Sequence, residues 1–126
     1  MTWRYFKIEE FACRCGCGQN LIDHVFVSEL DDLRHRIGFA LSITSGYRCP
    51  QHNAKVSSTG STGPHTTGRA ADLGVDRTRA YEVLQTALLM KFTGIGVNQK
   101  GGSRFIHLDN LSNAPGQPRP TIWSYP

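Results

Sequence analysis

The segments HTTGRAAD, residues 65–72, and FIHLD, residues 105–109, decide the fold and hold the main candidate site. The second segment and the end of the first have the apolar and small residues typical of short strands. His65, Asp72 and His107 are the candidate metal ligands in these segments. Histidine nitrogen and carboxylate oxygen are zinc ligands, and a catalytic zinc site takes three protein ligands and leaves the fourth position to water. The pattern therefore predicts a metal site.

Two features of the chain decide whether these residues can meet. His65 and Asp72 would lie about 10 Å apart along a helix that rises about 1.5 Å per residue, so the chain must turn between them, and Gly68 allows that turn. Strand alternation places Asp109 on the same face as His107, where it would orient the ring or act as a general base. A histidine near an apolar strand is more often a packed structural residue, so spacing alone leaves that interpretation open.

The remaining patterns predict an α+β fold in which helices pack on a small, mainly antiparallel sheet. The predicted helices cover residues 28–38, 50–56 and 78–92, and the predicted strands cover 39–44, 69–75, 94–97 and 104–109. We expect Ser28 to cap the first helix and Gly38 to end it, and the last two strands to form a hairpin. In the third helix, Tyr81, Leu84 and Leu88 form the stripe that we expect to pack in the core.

The length of 126 residues predicts a single domain over residues 1–126, with its core at about 6–110. The C-terminal residues 111–126 hold four of the six prolines, so we expect an irregular arm there. Trp123 and Tyr125 are the side chains that would anchor this arm against the body of the domain.

The four cysteines form the second group of candidate residues. Cys13, Cys15 and Cys17 alternate in CRCGCG, and Cys49 stands apart in YRCPQ. Disulfides, a structural zinc site with unusual spacing and free thiols all agree with this pattern. We expect no signal peptide from the first ten residues, and therefore synthesis in the reducing cytoplasm, where disulfides are uncommon. The sequence does not decide between these states.

Charge and hydropathy exclude several function classes. The net charge of +4 favours encounter with polyanions, but the fourteen Lys and Arg residues are scattered and form no basic block. We therefore expect no nucleic-acid partner. No apolar stretch approaches the roughly 20 residues that a membrane-spanning helix needs, so we expect no membrane insertion.

Several of these segments resemble those of the zinc D-alanyl-D-alanine peptidases. HTTGRAAD resembles the family's first zinc signature, His-x-x-Gly-x-Ala-x-Asp, and FIHLD resembles its second. SGYRCPQHN, residues 45–53, is similar to the segment before them in phage and bacterial cell-wall members, and FACRCGCG is similar to the N-terminal segment of some small members. The resemblance spans about residues 6–110. It implies an α+β zinc peptidase fold related to hedgehog and lysostaphin-type proteins, with Zn²⁺ held by His65, Asp72 and His107.

The resemblance also bears on the catalytic residues. Arg48 falls where the family has an arginine that binds the substrate carboxylate or polarises the scissile carbonyl, and its guanidinium fork suits that role. The carboxypeptidase and dipeptidase members place the catalytic acid three residues before the last histidine, and this position holds Arg104, which cannot be a general base. We therefore expect Asp109 to be the base. Alternatively, another carboxylate acts as the base, or the protein binds zinc without hydrolysing a substrate.

These features lead to an expected function. The resemblance implies a zinc-dependent peptidase that cleaves stem peptides or cross-links of bacterial peptidoglycan, as a phage-type endolysin endopeptidase. The alternatives are a D,D-carboxypeptidase that removes terminal D-alanine and a non-catalytic zinc-binding or wall-binding module. We expect a monomer that acts at the cell wall and depends on a membrane-permeabilising holin to reach it.

Overall fold

Residues 2–126, described by a computed structural model, form one five-stranded sheet and three α-helices. In chain order the elements are α1 (His24–Ile37), β1 (Ile43–Ser45), α2 (Pro50–Val56), β2 (Ala70–Leu73), α3 (Arg77–Leu89), β3 (Gly94–Asn98), β4 (Phe105–Asp109) and β5 (Thr121–Ser124). Short 3₁₀ turns cover Ile8–Phe11 and Pro64–Thr67. The α+β class is confirmed. Among these residues, no helix combines the length and apolar character needed to cross a membrane.

The sheet is mixed, which corrects the expectation of a mainly antiparallel one. Its strand order is β1-β2-β4-β3-β5, and the pairs are antiparallel except for β3 with β5, which is parallel. Asp109 at the end of β4 and Thr121 at the start of β5 both pair with Gly94 at the start of β3. The segment between β4 and β5 therefore starts and ends at the same end of the sheet, beside the first residue of β3. Because β5 begins at that end, it runs parallel to β3.

The prolines of the C-terminal arm had led us to expect an irregular segment. The arm instead contains a regular strand, β5. Its strand β5 pairs with β3 residue by residue, and its last proline before the strand, Pro120, leaves the backbone N–H groups of β5 free to bond. Trp123 and Tyr125 both contact the body of the domain, with ring centroids 5.0 Å from those of His107 and Phe105 respectively. Their predicted role as anchors is confirmed.

Helix α1 begins earlier than the sequence pattern predicts. Asp23, not Ser28, is the N-cap, because its carboxylate accepts a hydrogen bond from the backbone N–H of Phe26 at 2.9 Å. Ser28 lies inside the helix. The predicted end is confirmed, since Gly38 has φ of +79° and its N–H bonds to the carbonyl of Arg34.

Helix α3 packs through a different face from the predicted one. Its buried residues are Ala80, Val83 and Ala87. Tyr81 and Leu88 are 69% and 57% exposed, so the predicted core stripe is wrong for these two residues, whereas Leu84 packs against the core as expected. The smaller residues form the packing face because they let the helix lie close to α1 and β4.

The sheet separates the hydrophobic core from the candidate site. On β4, Ile106 and Leu108 are fully buried in the core cluster with residues of α1 and α3, while His107 and Asp109 alternate with them and face away. Ile95 on β3 belongs to the same core. The predicted hairpin of the last two strands is confirmed as β3 and β4, while β1 and β2 are shorter than predicted. Because the apolar residues of β3 and β4 point to one face of the sheet, the opposite face is available to the polar residues His107 and Asp109.

Candidate metal centre

A row of residues crosses four strands on the face opposite the core. Asp72 on β2 pairs with His107 on β4, His107 pairs with Gly96 on β3, and Gly96 pairs with Trp123 on β5. His65 reaches the row from the 3₁₀ turn that precedes β2.

The turn into β2 is made where the sequence predicts it. Gly68 caps the 3₁₀ turn with φ of +77°, a conformation that favours glycine, and reverses the chain between the first two candidate ligands. His65, Asp72 and His107 consequently lie together and are buried, with 4%, 5% and 2% of their surface exposed.

Three ligand atoms converge at the centre. His65 Nε2, Asp72 Oδ1 and His107 Nδ1 form a triangle in which each pair of atoms is 3.2 Å apart. Tetrahedral zinc with bonds of about 2.0–2.1 Å to nitrogen and oxygen has neighbouring ligand atoms about 3.3–3.4 Å apart. The triangle therefore has the dimensions of one face of a zinc tetrahedron.

The outer nitrogens of the two rings make hydrogen bonds that suit the tautomers in which a histidine binds a metal. His65 Nδ1 lies 2.8 Å from the backbone carbonyl of Gly46, and His107 Nε2 lies 2.8 Å from Asp109 Oδ2. Both oxygens only accept, so these two nitrogens donate, and in a neutral ring the other nitrogen is unprotonated. In these tautomers two nitrogen lone pairs and an oxygen of Asp72 face one another, so the three residues could hold a metal ion. Their three donor atoms suit Zn²⁺.

The charges around the centre also favour a cation. Burial raises the pKa of Asp72, but hydrogen bonds with His107 and His65 lower it more, and the net pKa lies below its ordinary value. Burial lowers the pKa of His107, but Asp109 and Asp72 outweigh this effect and raise it. The raised pKa of His107 reflects the negative potential of the two buried carboxylates, and the lowered pKa of Asp72 keeps its carboxylate ionised.

Asp109 is held on the side of His107 away from the triangle. Arg119 donates to it twice, from Nε to Oδ1 at 2.9 Å and from an Nη to Oδ2 at 2.8 Å. Burial raises the pKa of Asp109, but His107 and Arg119 lower it more, so the carboxylate stays ionised. Both of its oxygens are therefore occupied by Arg119, and Oδ2 also accepts from the ring of His107.

Two glycines of β3 make room for these groups. A Cβ on Gly94 would collide with the carboxylate of Asp109, and a Cβ on Gly96 would lie 2.7 Å from Trp123 Nε1 and from the hydroxyl of Tyr125. Glycines at alternate positions of a strand indicate a close approach on that face, so the segment GIG carries a sequence signal that our predictions did not use. Arg119 had no such signal.

Arg48 lies beside the triangle, where three acceptors hold its guanidinium group. It donates to Ser45 Oγ at 3.0 Å, to Asn53 Oδ1 at 3.1 Å and to Asp72 Oδ2 at 3.4 Å. Its backbone N–H also bonds to the carbonyl of His65. The predicted functional arginine is thus placed at the metal centre.

A comparison with protein families identifies this arrangement. The family described as peptidase M15 matches residues 4–109 of the chain. The chain belongs to the peptidase M15 family. M15 peptidases are the zinc-dependent D-Ala-D-Ala peptidases, so the resemblance found in the sequence is confirmed. A comparison with curated proteins finds no match. Family membership supports a metallopeptidase, and the triangle supplies candidate zinc ligands.

The segment matched to the M15 family ends at Asp109, before the C-terminal arm. Arg119 and Trp123 therefore come from outside the matched segment, although both contact the centre. The guanidinium carbon of Arg119 lies 5.2 Å from the ring centroid of Trp123, which itself packs against His107. The C-terminal arm thus packs against His107 through Trp123, with Arg119 stacked on the indole ring.

A cleft of about 970 Å³ adjoins the triangle, and its lining includes Asp72 and Arg48. Three further arginines and one further carboxylate line it, namely Arg77, Arg79, Arg104 and Asp76. Four cationic groups against two anionic ones make the cleft basic. It is therefore suited to a substrate that carries carboxylates.

The four cysteines also lie together, at a second place. The sulfurs of Cys13, Cys15, Cys17 and Cys49 are all within 4.8 Å of one another. Cys13 and Cys49 are buried, whereas the other two are exposed. Cys49 directly follows Arg48, so this cluster adjoins the segment that carries this arginine.

Proposed function

We propose that this M15 protein is a zinc-dependent peptidase that cleaves a peptide bond in bacterial peptidoglycan, as an endopeptidase of the phage endolysin type. The triangle of His65, Asp72 and His107 carries this proposal, because two imidazole nitrogens and a carboxylate oxygen converge at the spacing of zinc ligands and Asp72 also lines the cleft. Zinc held there would polarise the scissile carbonyl and lower the pKa of water toward about 7.

Arg48 is the residue that we assign to substrate. Its side chain is partly buried and fixed by Ser45 and Asn53, so a further acceptor meets a guanidinium group that is already oriented. The developing negative charge on the carbonyl oxygen, or a carboxylate of the peptide, is the acceptor of matching chemistry. A guanidinium group that is already oriented stabilises the transition state more than the flexible ammonium group of a lysine at this position would.

The basic cleft supports an acidic peptide as substrate. The arginines that line it would attract the free carboxylates of peptidoglycan stem peptides, and they would disfavour cationic peptides. The same charge favours the alternative of a D,D-carboxypeptidase, because a terminal D-alanine carries a free carboxylate beside the scissile bond. The products distinguish the two reactions.

The contacts of Asp109 favour an orienting role over the base role that the sequence had led us to expect. Its oxygens bond to Arg119 and to the far nitrogen of His107, which holds the ring so that Nδ1 faces the triangle. Among the described residues that line the cleft, Asp76 is the carboxylate outside the centre, half exposed and paired with Arg77 at 2.6 Å. We propose Asp76 as the residue to test as general base.

Product analysis tests the proposed function. Purified protein with zinc is incubated with purified peptidoglycan, and the released fragments are identified by mass spectrometry. An endopeptidase yields shortened peptides with new amino and carboxyl ends, whereas a carboxypeptidase yields free D-alanine. The His107→Ala variant should yield neither. A zinc-loaded protein that leaves peptidoglycan unchanged would instead support the non-catalytic module.

We also propose that the protein reaches the wall with the help of a holin. The proposal follows from the endolysin interpretation, in which the peptidase is made inside the cell that it lyses. Expression with and without a holin tests it, because lysis should occur only with both proteins. Lysis by the peptidase alone would contradict this dependence.

A further inference from the structure

The segment of residues 45–49 connects the metal centre with the cysteine cluster. On one side, the carbonyl of Gly46 accepts from His65, and the N–H of Arg48 bonds to the carbonyl of the same histidine. On the other side, Cys49 contributes its sulfur to the cluster. Whatever holds Cys49 in place therefore also holds the functional arginine.

The sulfur positions have the dimensions of a metal site. Cys15 Sγ lies 3.5 Å from Cys13 Sγ and 3.6 Å from Cys49 Sγ, and all four sulfurs are within 4.8 Å of one another. In a tetrahedral site with zinc–sulfur bonds of about 2.3 Å, neighbouring sulfurs are about 3.8 Å apart. The two short edges differ from that spacing by tenths of an ångström and the others exceed it by at most about 1 Å, so shifts of that size would close the cluster around an ion.

The four cysteines are free thiols in this arrangement, and their sulfurs do not stand as two close pairs. Cys15 is almost equally distant from Cys13 and from Cys49, and both distances are far longer than a disulfide bond of about 2.05 Å. A pairing of Cys13 with Cys15 would also close a ring across a single intervening residue. Four sulfurs around one point are expected for a shared ion, which needs four donors at once.

Backbone donors point at the sulfurs. The N–H of Cys49 donates to Cys13 Sγ at 3.3 Å, that of His52 to Cys49 Sγ at 3.4 Å and that of Gln19 to Cys17 Sγ at 3.4 Å. Such bonds favour the thiolate over the thiol, because the charged sulfur is the stronger acceptor. They also orient the ligands, as partners of metal-bound atoms do.

We propose that Cys13, Cys15, Cys17 and Cys49 form a second zinc site, which is structural and separate from the catalytic centre. Four protein ligands leave no open position, so this site takes no part in hydrolysis. Its role is to fasten the N-terminal loop to the segment that carries Arg48. A backbone hydrogen bond already joins these two parts of the chain, because the N–H of Tyr47 donates to the carbonyl of Phe11 at 2.8 Å.

Metal content of the full-length protein tests the second site. Purified under reducing conditions with zinc, the wild type should hold two zinc ions per chain. Cys17→Ser and His107→Ala should each hold one, because each removes a ligand from a different site. One zinc in the wild type that remains in Cys17→Ser would overturn the proposal.

Cobalt substitution shows which ligands hold the metal without any assay of activity. Thiolate ligands give Co²⁺ an intense sulfur-to-metal charge-transfer absorption in the near ultraviolet. We expect this absorption in the wild type and in His107→Ala, and its loss in Cys17→Ser. A cobalt-loaded wild type without it would contradict the cysteine site, and this result needs no variant that has to fold.

The two proposals can fail separately. Two zinc ions in a protein that leaves peptidoglycan intact would reject the proposed function and keep the cysteine site. One zinc ion in a protein that hydrolyses peptidoglycan would reject the cysteine site and keep the function. Mass spectrometry of the native protein supplies a further check, because two disulfides in the protein as purified would exclude four thiolate ligands.

Discussion

The histidine centre and the cysteine cluster differ in what holds their ligand atoms. Asp72 and His107 are paired neighbours in a hydrogen-bonded sheet, and the ring of His107 is fixed further by Asp109. Cys13, Cys15 and Cys17 lie in a loop without strand pairing, and their sulfurs contact backbone N–H groups and one another. The first site is therefore built by the fold, whereas the proposed second site would gain order for its loop from a bound ion.

The largest effect should follow from loss of a ligand at the histidine centre. His107→Ala removes the Nδ1 donor of the triangle, and we expect turnover of peptidoglycan to fall to the uncatalysed background with loss of one zinc ion. The cysteine cluster should keep its ion because no ligand of it changes. Turbidity loss and metal analysis measure both quantities. His35→Ala, which changes an exposed histidine on α1, is the matched control and should behave as wild type.

The next effect concerns Arg48, which links the two sites. Arg48→Ala should lower kcat/KM by roughly 10²–10³-fold, the range seen when one donor to a developing oxyanion is lost. Arg48→Lys should recover only part of this loss, because an ammonium group cannot reproduce three contacts of the guanidinium fork.

The zinc content separates this prediction from a structural effect. Both Arg48 variants should retain two zinc ions, since Arg48 is a ligand of neither site, and Arg36→Ala on the exposed face of α1 is the control for loss of a positive charge. Wild-type kcat/KM in Arg48→Ala would remove Arg48 from the mechanism.

Asp109 distinguishes the orienting role from the base role. As a partner of His107, its replacement in Asp109→Asn should weaken zinc affinity by about 10–100-fold, with turnover recovered when zinc is in excess. A base would behave differently, because its loss would reduce kcat strongly while zinc stays bound. Zinc titration followed by activity therefore decides between the two, and Asp76→Asn tests the other carboxylate of the cleft in the same assay.

Much of the centre could be predicted from the sequence, for physical reasons. Strand alternation put His107 and Asp109 on one face, and a glycine at position 68 marked the turn that brings His65 to Asp72. Both rules are local, because they depend only on neighbouring residues. Arg48 came from the resemblance to the family, and nothing in its local pattern distinguishes it from other arginines.

The parts that could not be predicted depend on contacts between distant segments. Arg119 lies in a proline-rich stretch, and its pairing with Asp109 follows from the path of the chain over β3. The wrong face of α3 has a similar cause, because Tyr81 and Leu88 form as regular a stripe as the smaller residues that pack. The convergence of Cys49 with the cysteine loop likewise follows from the tertiary fold.

The smallest effect should come from the glycine that makes room behind His107. Gly96→Ala places a methyl group against Trp123 and Tyr125, and we expect overpacking to lower the free energy of unfolding by about 1–3 kcal/mol. Gly102→Ala is the matched control, because a Cβ there meets no atom within 4 Å and the backbone is not in the left-handed region. Chemical denaturation measures both. Equal stability of the two variants would mean that the arm does not support the histidine centre.

The most direct test of the proposed catalytic centre is a zinc titration of the metal-free protein with peptidoglycan hydrolysis as the readout. We predict no turnover without metal and a rise in turnover as zinc occupies the centre of His65, Asp72 and His107. His107→Ala should stay inactive over the same range of zinc. Hydrolysis by the metal-free protein, or intact peptidoglycan when the centre is saturated with zinc, would contradict a zinc peptidase that acts on the cell wall.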